Sequence, residues 1–365
     1  MVDIKPFKGT RPFNEDAKSL IAPSTDHLSI ENIEIFRKNN YWNYLKILNP
    51  VGQLKETDTL LEAKLHFSEM KENDVIKKDT EDHFYVYQIE FKKHIQTGFL
   101  SLANIEDFTN QKIKAHEKIY ENRMRERAEQ MLNIKSQIGP IYVFFENNKD
   151  ISKLLNSITK QTPNYDFESF DNSIHKLWCI SNEKFINNLS SIFSNNINNF
   201  YIADGHHRMG AMKLIGELKY NKNIHQEHFM IAAFSSDEAK IFDYNRVVKD
   251  LNGLSEEKFL ELLSKSFTIT KKEKAFKPNR NREFGMYHES KWYSLNFREK
   301  LEMDNFVDTL DINILNNFIF KKYLNIEDVN NDERIRFIAG CHGLEALEKK
   351  VDENNDSVAF SIFPS

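Results

Sequence analysis

Cysteine is scarce, long apolar runs are missing, and neither sign of charge is in clear excess. The two cysteines among 365 residues, Cys179 and Cys341, cannot build a disulfide scaffold or a cysteine-rich zinc site. No apolar run approaches the roughly 18 residues of a membrane span, and mean hydropathy is −0.60. The opening MVDIKPFKGTRPF has no apolar h-region, so no secretory signal is expected. Lys and Arg total 50 against 55 Asp and Glu, a formal net charge of −5. That balance argues against a basic coat for DNA or RNA. No internal repeat is visible. The expectation is a soluble, cytoplasmic chain without a membrane or nucleic-acid partner.

What is present suffices for a core. Hydrophobic residues make up 40% of the chain and aromatics 12%, which excludes wholesale disorder. Length suggests two domains of about 150 residues, or one elaborated domain. β-Branched and aromatic runs predict strands at 83–91, 98–105, 141–146, 176–181, 200–204, 229–235 and 240–248. The 81–105 stretch reads as a hairpin, and so does 285–297, with its turn at Glu289-Ser290. Tyr120, Met124, Ala128, Met131 and Leu132 recur at helical spacing, predicting a helix over 118–138 that Gly139-Pro140 stops. Ser255 reads as the N-cap of a helix over 255–267, with Glu256 and Glu257 in its first turn. Strands alternating with helices give an α/β or α+β class. The Asn-rich 187–199 and Lys-rich 271–284 stretches read as solvated surface. The second is the expected linker, dividing the chain into 1–270 and a smaller C-terminal unit, 271–365.

The most informative run is Tyr201-Ile202-Ala203-Asp204-Gly205-His206-His207-Arg208, followed by MGAMKLIGEL. An apolar strand ends in Asp-Gly, a His-His-Arg triplet follows, and a helix begins at once. Gly205 permits a tight turn and close approach of a ligand. The N–H groups that follow and the positive helix end suit an anion, and Arg208 can grip a phosphate with its planar fork. Asp204, at the strand end, is placed to bind a metal or accept a proton. One Asp and one Arg at such a turn often mark only a capped helix, but two consecutive histidines there have no obvious packing use. Zinc fits poorly, since adjacent histidines on a helix diverge by about 100° and no H-E-x-x-H or cysteine pair is present. The pair His116-Glu117 offers a candidate general base, or merely a first-turn charge. Asn245-Arg246, set among apolar residues, needs a partner, which could be Asp243, Asp250 or a ligand anion.

These segments, in order, resemble the DUF1015 family. The resemblance rests on Lys5-Pro6-Phe7-Lys8-Gly9-x-Arg11-Pro12, His116-Glu117, Tyr201–Arg208, Asn245-Arg246-Val247-Val248 and the ending Ala359-Phe360-Ser361-Ile362-Phe363-Pro364. It covers nearly the whole chain. The D-G-H-H-R motif is similar to that of archaeal free-serine kinases, in the ParB/sulfiredoxin superfamily, where the equivalent turn binds nucleotide phosphates. ParB proteins carry G-E-R-R there and sulfiredoxins G-C-H-R. His206 stands where sulfiredoxins need cysteine, and no helix-turn-helix accompanies the motif, so neither of those activities is expected.

The resemblance implies a ParB/sulfiredoxin-like mixed-sheet core with elaborations and a C-terminal α/β extension. The implied reaction is phosphoryl transfer from ATP or ADP, with Mg²⁺, to serine or a similar small hydroxyl metabolite. By that analogy Gly205 and Arg208 hold phosphates, and His206 or His207 contacts the transferred group. Glu117 or Asp204 acts on the hydroxyl, Asp204 also serves as metal ligand, and Arg11, His116, Asn245 and Arg246 are substrate-binding candidates. A nucleotide-binding switch without turnover and a phosphatase are the alternatives. Three departures bear on substrate. Pro23-Ser24-Thr25-Asp26 stands for the family's Pro-Pro-Tyr-Asp, and Ile119 stands where threonine is favoured. The sequence ends at Ser365, where many relatives continue. Acceptor, nucleotide and oligomeric state stay open at this level.

Overall fold

The computed structural model describes residues 1–13, 17–22, 30–48, 56–218, 227–301, 306–329, 331–353 and 357–364. The run Pro23-Ser24-Thr25-Asp26 lies outside them. The chain forms two units, Met1–Ala239 and Lys240–Ser365. The division precedes the expected 270/271 boundary because Tyr244–Val248 and Phe267–Lys272 hydrogen-bond into the second unit's sheet. The expected linker at 271–284 accordingly starts as strand.

The first unit is built on a mixed nine-stranded sheet. Its order is Ile113–Lys114, Phe200–Asp204, Ile141–Phe145, His228–Ser235, His94–Asn104, Phe84–Phe91, Ile174–Ile180, Tyr165–Glu168, with Ile4–Lys5 paired off this path to His94–Asn104. Two neighbour pairs are parallel, Phe200–Asp204 with Ile113–Lys114 and His228–Ser235 with Ile141–Phe145. The remaining pairs are antiparallel. The expected hairpin is Phe84–Phe91 with His94–Asn104, and Lys92 and Lys93 turn it at φ +49° and +65°. Both positive angles match the primed turns that suit twisted strands.

Glu121–Ile134 buries Ala128, Gln130, Met131 and Ile134. It starts three residues later than expected, which leaves 115–120 as an extended connection before it. Lys135 then takes a left-handed conformation and closes the helix. The Asn-rich stretch is a helix, Glu183–Asn196, whose Phe185, Leu189 and Phe193 face the core while its asparagines cover the outside. One apolar cluster joins these helices to the sheet through Phe99, Phe145, Phe193 and Phe200.

The second unit holds a six-stranded antiparallel sheet with Phe267–Lys272 and Ile335–Ala339 at its edges. Glu289 and Ser290, at φ +46° and +57°, form the expected hairpin turn. Val358–Ile362 is buried along its length, so the apolar ending of the sequence is an interior strand. Ser255 caps Glu256–Leu263 by accepting a hydrogen bond from the Lys258 N–H. No helix among the described residues is long and apolar enough to cross a membrane.

Candidate functional site

Phe200–Asp204 lies between Ile113–Lys114 and Ile141–Phe145, and its register slips between Ile202 and Asp204. Gly205 follows at φ +96°, and the helix His206–Leu218 starts directly after it. A side chain would be strained at that φ. A Cβ there would also meet Arg208 Nε at 3.1 Å. The N–H groups of His206, His207 and Arg208 have no partner among the described residues, so the helix start offers three aligned donors.

The side chains are more constrained than the sequence indicated. Arg208 Nη2 donates to Asp204 Oδ2, one turn back. The same guanidinium lies against Gly139, whose φ is +71° and whose missing Cβ would sit 2.5 Å from Arg208 Nη1. Two glycines therefore make a slot for one guanidinium. The residue read as a helix stop also makes room for the motif's arginine.

His206 is 2% exposed and joins the motif to 115–120. Its Nδ1 lies 3.2 Å from Glu117 Oε2, and its Nε2 accepts the His116 N–H at 3.4 Å. Both contacts are met by a neutral ring protonated at Nδ1. Burial, with the nearby His116, pushes the imidazole pKa below its ordinary value, against the pull of Glu117. The His116 ring meets His206 edge-on, centroids 4.5 Å apart. His207 Nε2 accepts the Tyr120 N–H at 3.3 Å, and its ring stacks on Tyr120 at 5.8 Å. The Glu117 side chain is half exposed, so only part of it is used by His206. Because the helix begins at Glu121, Glu117 is not a first-turn charge.

Gly210 explains how 115–120 comes so close. A Cβ there would lie 2.9 Å from Ile119 Cγ2 and 3.1 Å from Met124 Sδ, so glycine lets this segment and the following helix pack onto His206–Leu218. Residues 116 and 117 are thereby brought to 204–208 in space.

A family profile for a protein of unknown function, DUF1015, matches residues 4–313. The chain belongs to the DUF1015 family. No curated protein matches this DUF1015 chain. Among solved structures it is similar to a free serine kinase in complex with AMP, at 14% identity and a TM-score of 0.33. That match covers 72% of this chain and 76% of the other. SbnI with a C-terminal truncation, from Staphylococcus aureus, matches at 11% identity and a TM-score of 0.36, over 73% of this chain and 72% of the other. Neither shared fold nor shared function follows from likeness at this level.

The other candidate residues of the DUF1015 chain are held by partners of their own. Arg11 Nε donates to Asp79, Arg11 Nη1 donates to the Tyr165 hydroxyl, and Tyr85 donates to Asp79 as well. Gly9 passes so near Tyr85 that a Cβ would lie 2.7 Å from its hydroxyl. The Lys8-Gly9-x-Arg11 run thus pins the N-terminal segment to the sheet. Asn245 and Arg246 belong to the second unit. Asn245 donates to Asp243 and accepts the Ile362 N–H. Arg246 donates to the Tyr244 carbonyl and lies over the Tyr244 and Phe337 rings. The carboxylates expected to pair with Arg246 are engaged elsewhere, Asp243 with Lys277 and Asp250 with Arg334. Burial pushes the Arg246 pKa down to about 10.

The sequence reading took Gly139 only as a helix stop and Tyr120 only as a helix residue, and it missed the chain Tyr87–His175–Ser173–Asp171. Only pairing across strands reveals that chain. Among the described residues no three carboxylate, histidine or cysteine side chains gather as a metal cluster.

Proposed function

We propose that the chain transfers the terminal phosphoryl group of a nucleotide to the hydroxyl of a serine-like small metabolite, on a ParB/sulfiredoxin-like core. The observation that carries this reading is the contact of Glu117 Oε2 with His206 Nδ1, 3.2 Å apart. It joins a carboxylate to an anion-binding helix start from which it is remote in sequence.

In this reading His206 is a positioning residue. Its two ring nitrogens are engaged, one with Glu117 and one with the His116 N–H, so it orients the carboxylate rather than moving a proton itself. Glu117 Oε1 accepts the proton as the substrate oxygen attacks the terminal phosphorus, and the bond from that phosphorus to the nucleotide's bridging oxygen breaks. The N–H groups of His206, His207 and Arg208 receive phosphate oxygens. Arg208, held against Gly139 and Gly205, adds positive charge at a set place.

Mg²⁺ fits this donor set in the manner usual for nucleotide sites, with few protein ligands and the phosphates supplying the rest. Asp204 would hold it, because that side chain is 70% exposed and Arg208 engages only its Oδ2. The ion would supply neutralisation of phosphate charge. The test is phosphorus NMR of purified protein with ATP or ADP, Mg²⁺ and a panel of hydroxyl compounds. A new phosphoester is expected, and Glu117→Gln should slow its formation by about 10²–10⁴ while nucleotide binding persists. No phosphoester from any acceptor, together with no nucleotide binding by calorimetry, overturns the reading. Tight nucleotide binding with slow hydrolysis would favour the switch instead, and phosphate release from phosphoserine without nucleotide would favour the phosphatase.

A further inference from the structure

The first unit contains an open cavity of about 1240 Å³ that the 204–208 turn does not line. Among the described residues its wall carries seven Lys or Arg and only two Asp, in a chain whose net charge is −5. Three of these cations are neutralised: Arg11 by Asp79, Lys77 by Asp74 and Lys176 by Asp166. Lys8, Lys71, Lys78 and Lys135 have no carboxylate partner among the described residues. A concave wall with an excess of one sign focuses its field on whatever enters. Lys71 feels this: burial and the neighbouring charge of Lys78 both push its ammonium below the ordinary lysine value. An anion between them would relieve that repulsion.

The same wall is aromatic. Tyr87, His175 and Phe167 stack in a row, with successive centroids 6.0 and 5.3 Å apart and both interplanar angles 21°. Hydrogen bonds lock the row. Tyr87 donates to His175 Nδ1, His175 Nε2–H donates to Ser173 Oγ, and Ser173 donates to Asp171. Burial keeps the His175 imidazole below its ordinary pKa and the Tyr87 phenol above its own, so both stay neutral and the chain of donors keeps one direction. A pre-ordered aromatic row in the same cavity wall as lysines without a carboxylate partner suits a flat ring that bears phosphate.

We propose that this cavity is a binding site for a nucleotide-class ligand, an aromatic base carrying phosphate, separate from the 204–208 turn. Gly139 belongs both to the cavity wall and to the Arg208 slot, so an occupant abuts the backbone that supports the motif. The proposal stands independently of the phosphoryl-transfer reading.

The test uses the full chain with AMP, adenosine and pyrophosphate as probes. Calorimetry is run on wild type, Lys71→Gln/Lys78→Gln, Phe167→Ala and Asp204→Ala, each checked for folding by circular dichroism. In parallel, acylation of lysines is mapped by mass spectrometry with and without AMP. AMP should bind more tightly than either fragment and protect Lys71 and Lys78 from acylation. The double lysine variant should weaken it by at least about tenfold, while Asp204→Ala leaves that protection intact. Protection of Lys71 and Lys78 by pyrophosphate equal to that by AMP overturns the proposal, because the ring is then unused in the cavity. So does AMP binding that is abolished by Asp204→Ala and indifferent to the lysine and Phe167 variants; that result leaves the phosphoryl-transfer reading standing. Protection of the two lysines with no phosphoester from any acceptor supports the cavity by itself.

Discussion

At Gly139 and Gly205 the absence of a Cβ is what lets the Arg208 guanidinium lie flat between two backbones. Gly139→Ala combines an unfavourable positive φ with a group placed 2.5 Å from Arg208 Nη1. It should cost about 2–3 kcal/mol, read as a shift in denaturant midpoint. Gly253→Ala is the control. It has φ +74° but nothing within 4 Å, so only the backbone cost of about 1 kcal/mol remains. Equal losses at the two positions would argue against the slot. His206 makes a second residue-level prediction. With His66, His175 and His228, it is held below the ordinary imidazole pKa, in each case chiefly by burial. The folded chain therefore refuses protons that the unfolded chain accepts as pH falls through about 6.5. That stability is present above this pH and lost below it. Melting temperature should fall between pH 7.5 and pH 5.5, with a shallower fall in His206→Gln; a flat profile in wild type would contradict the assignment.

Among the elements, the helix His206–Leu218 has the most depending on it. Its sequence of Ala, Met, Leu and Lys favours helix, while Gly210 is a poor helix former. The compensation is close packing of Gly210 against Ile119 and Met124. Gly210→Leu should cost about 1–3 kcal/mol by overpacking. Because Ile119 lies two residues from Glu117, under the proposed function it should also reduce phosphoryl transfer more than nucleotide binding. Thermal unfolding and the phosphorus assay measure the two effects, and a variant destabilised with unchanged turnover would uncouple this contact from the site. Surface helices rely on ordinary caps instead. Asn148 accepts from the Asp150 and Ile151 N–H groups, and Asn182 from that of Phe185.

For the whole molecule, each unit has its own sheet and its own apolar cluster. In the second, Phe259, Phe284, Phe320 and Phe360 are fully buried within one cluster. A unit with a sheet and an apolar core of its own is expected to fold alone. Residues 240–365 expressed separately should give a cooperative thermal transition with a mixed helix and sheet spectrum; a fragment that stays unfolded would show that this core is incomplete. A cut at 270/271 should fail the same test, because it removes Tyr244–Val248 from between Ile335–Ala339 and Val358–Ile362.

The sequence by itself determined the local elements and the turn. β-Branched and aromatic runs marked most strands of the first sheet, because alternation and apolar content are properties of neighbours along the chain. Asp204-Gly205 ahead of a helix-forming run marked the start of His206–Leu218 for the same reason. Tertiary structure decided who meets whom. It brought Glu117 to His206 through the space that Gly210 leaves, and it set Arg208 between Gly139 and Gly205. It moved the unit boundary to 239/240 by strand pairing, and it gathered seven cations around one cavity in an acidic chain. Each of these depends on backbone approach between segments far apart in sequence, which spacing along one chain does not encode.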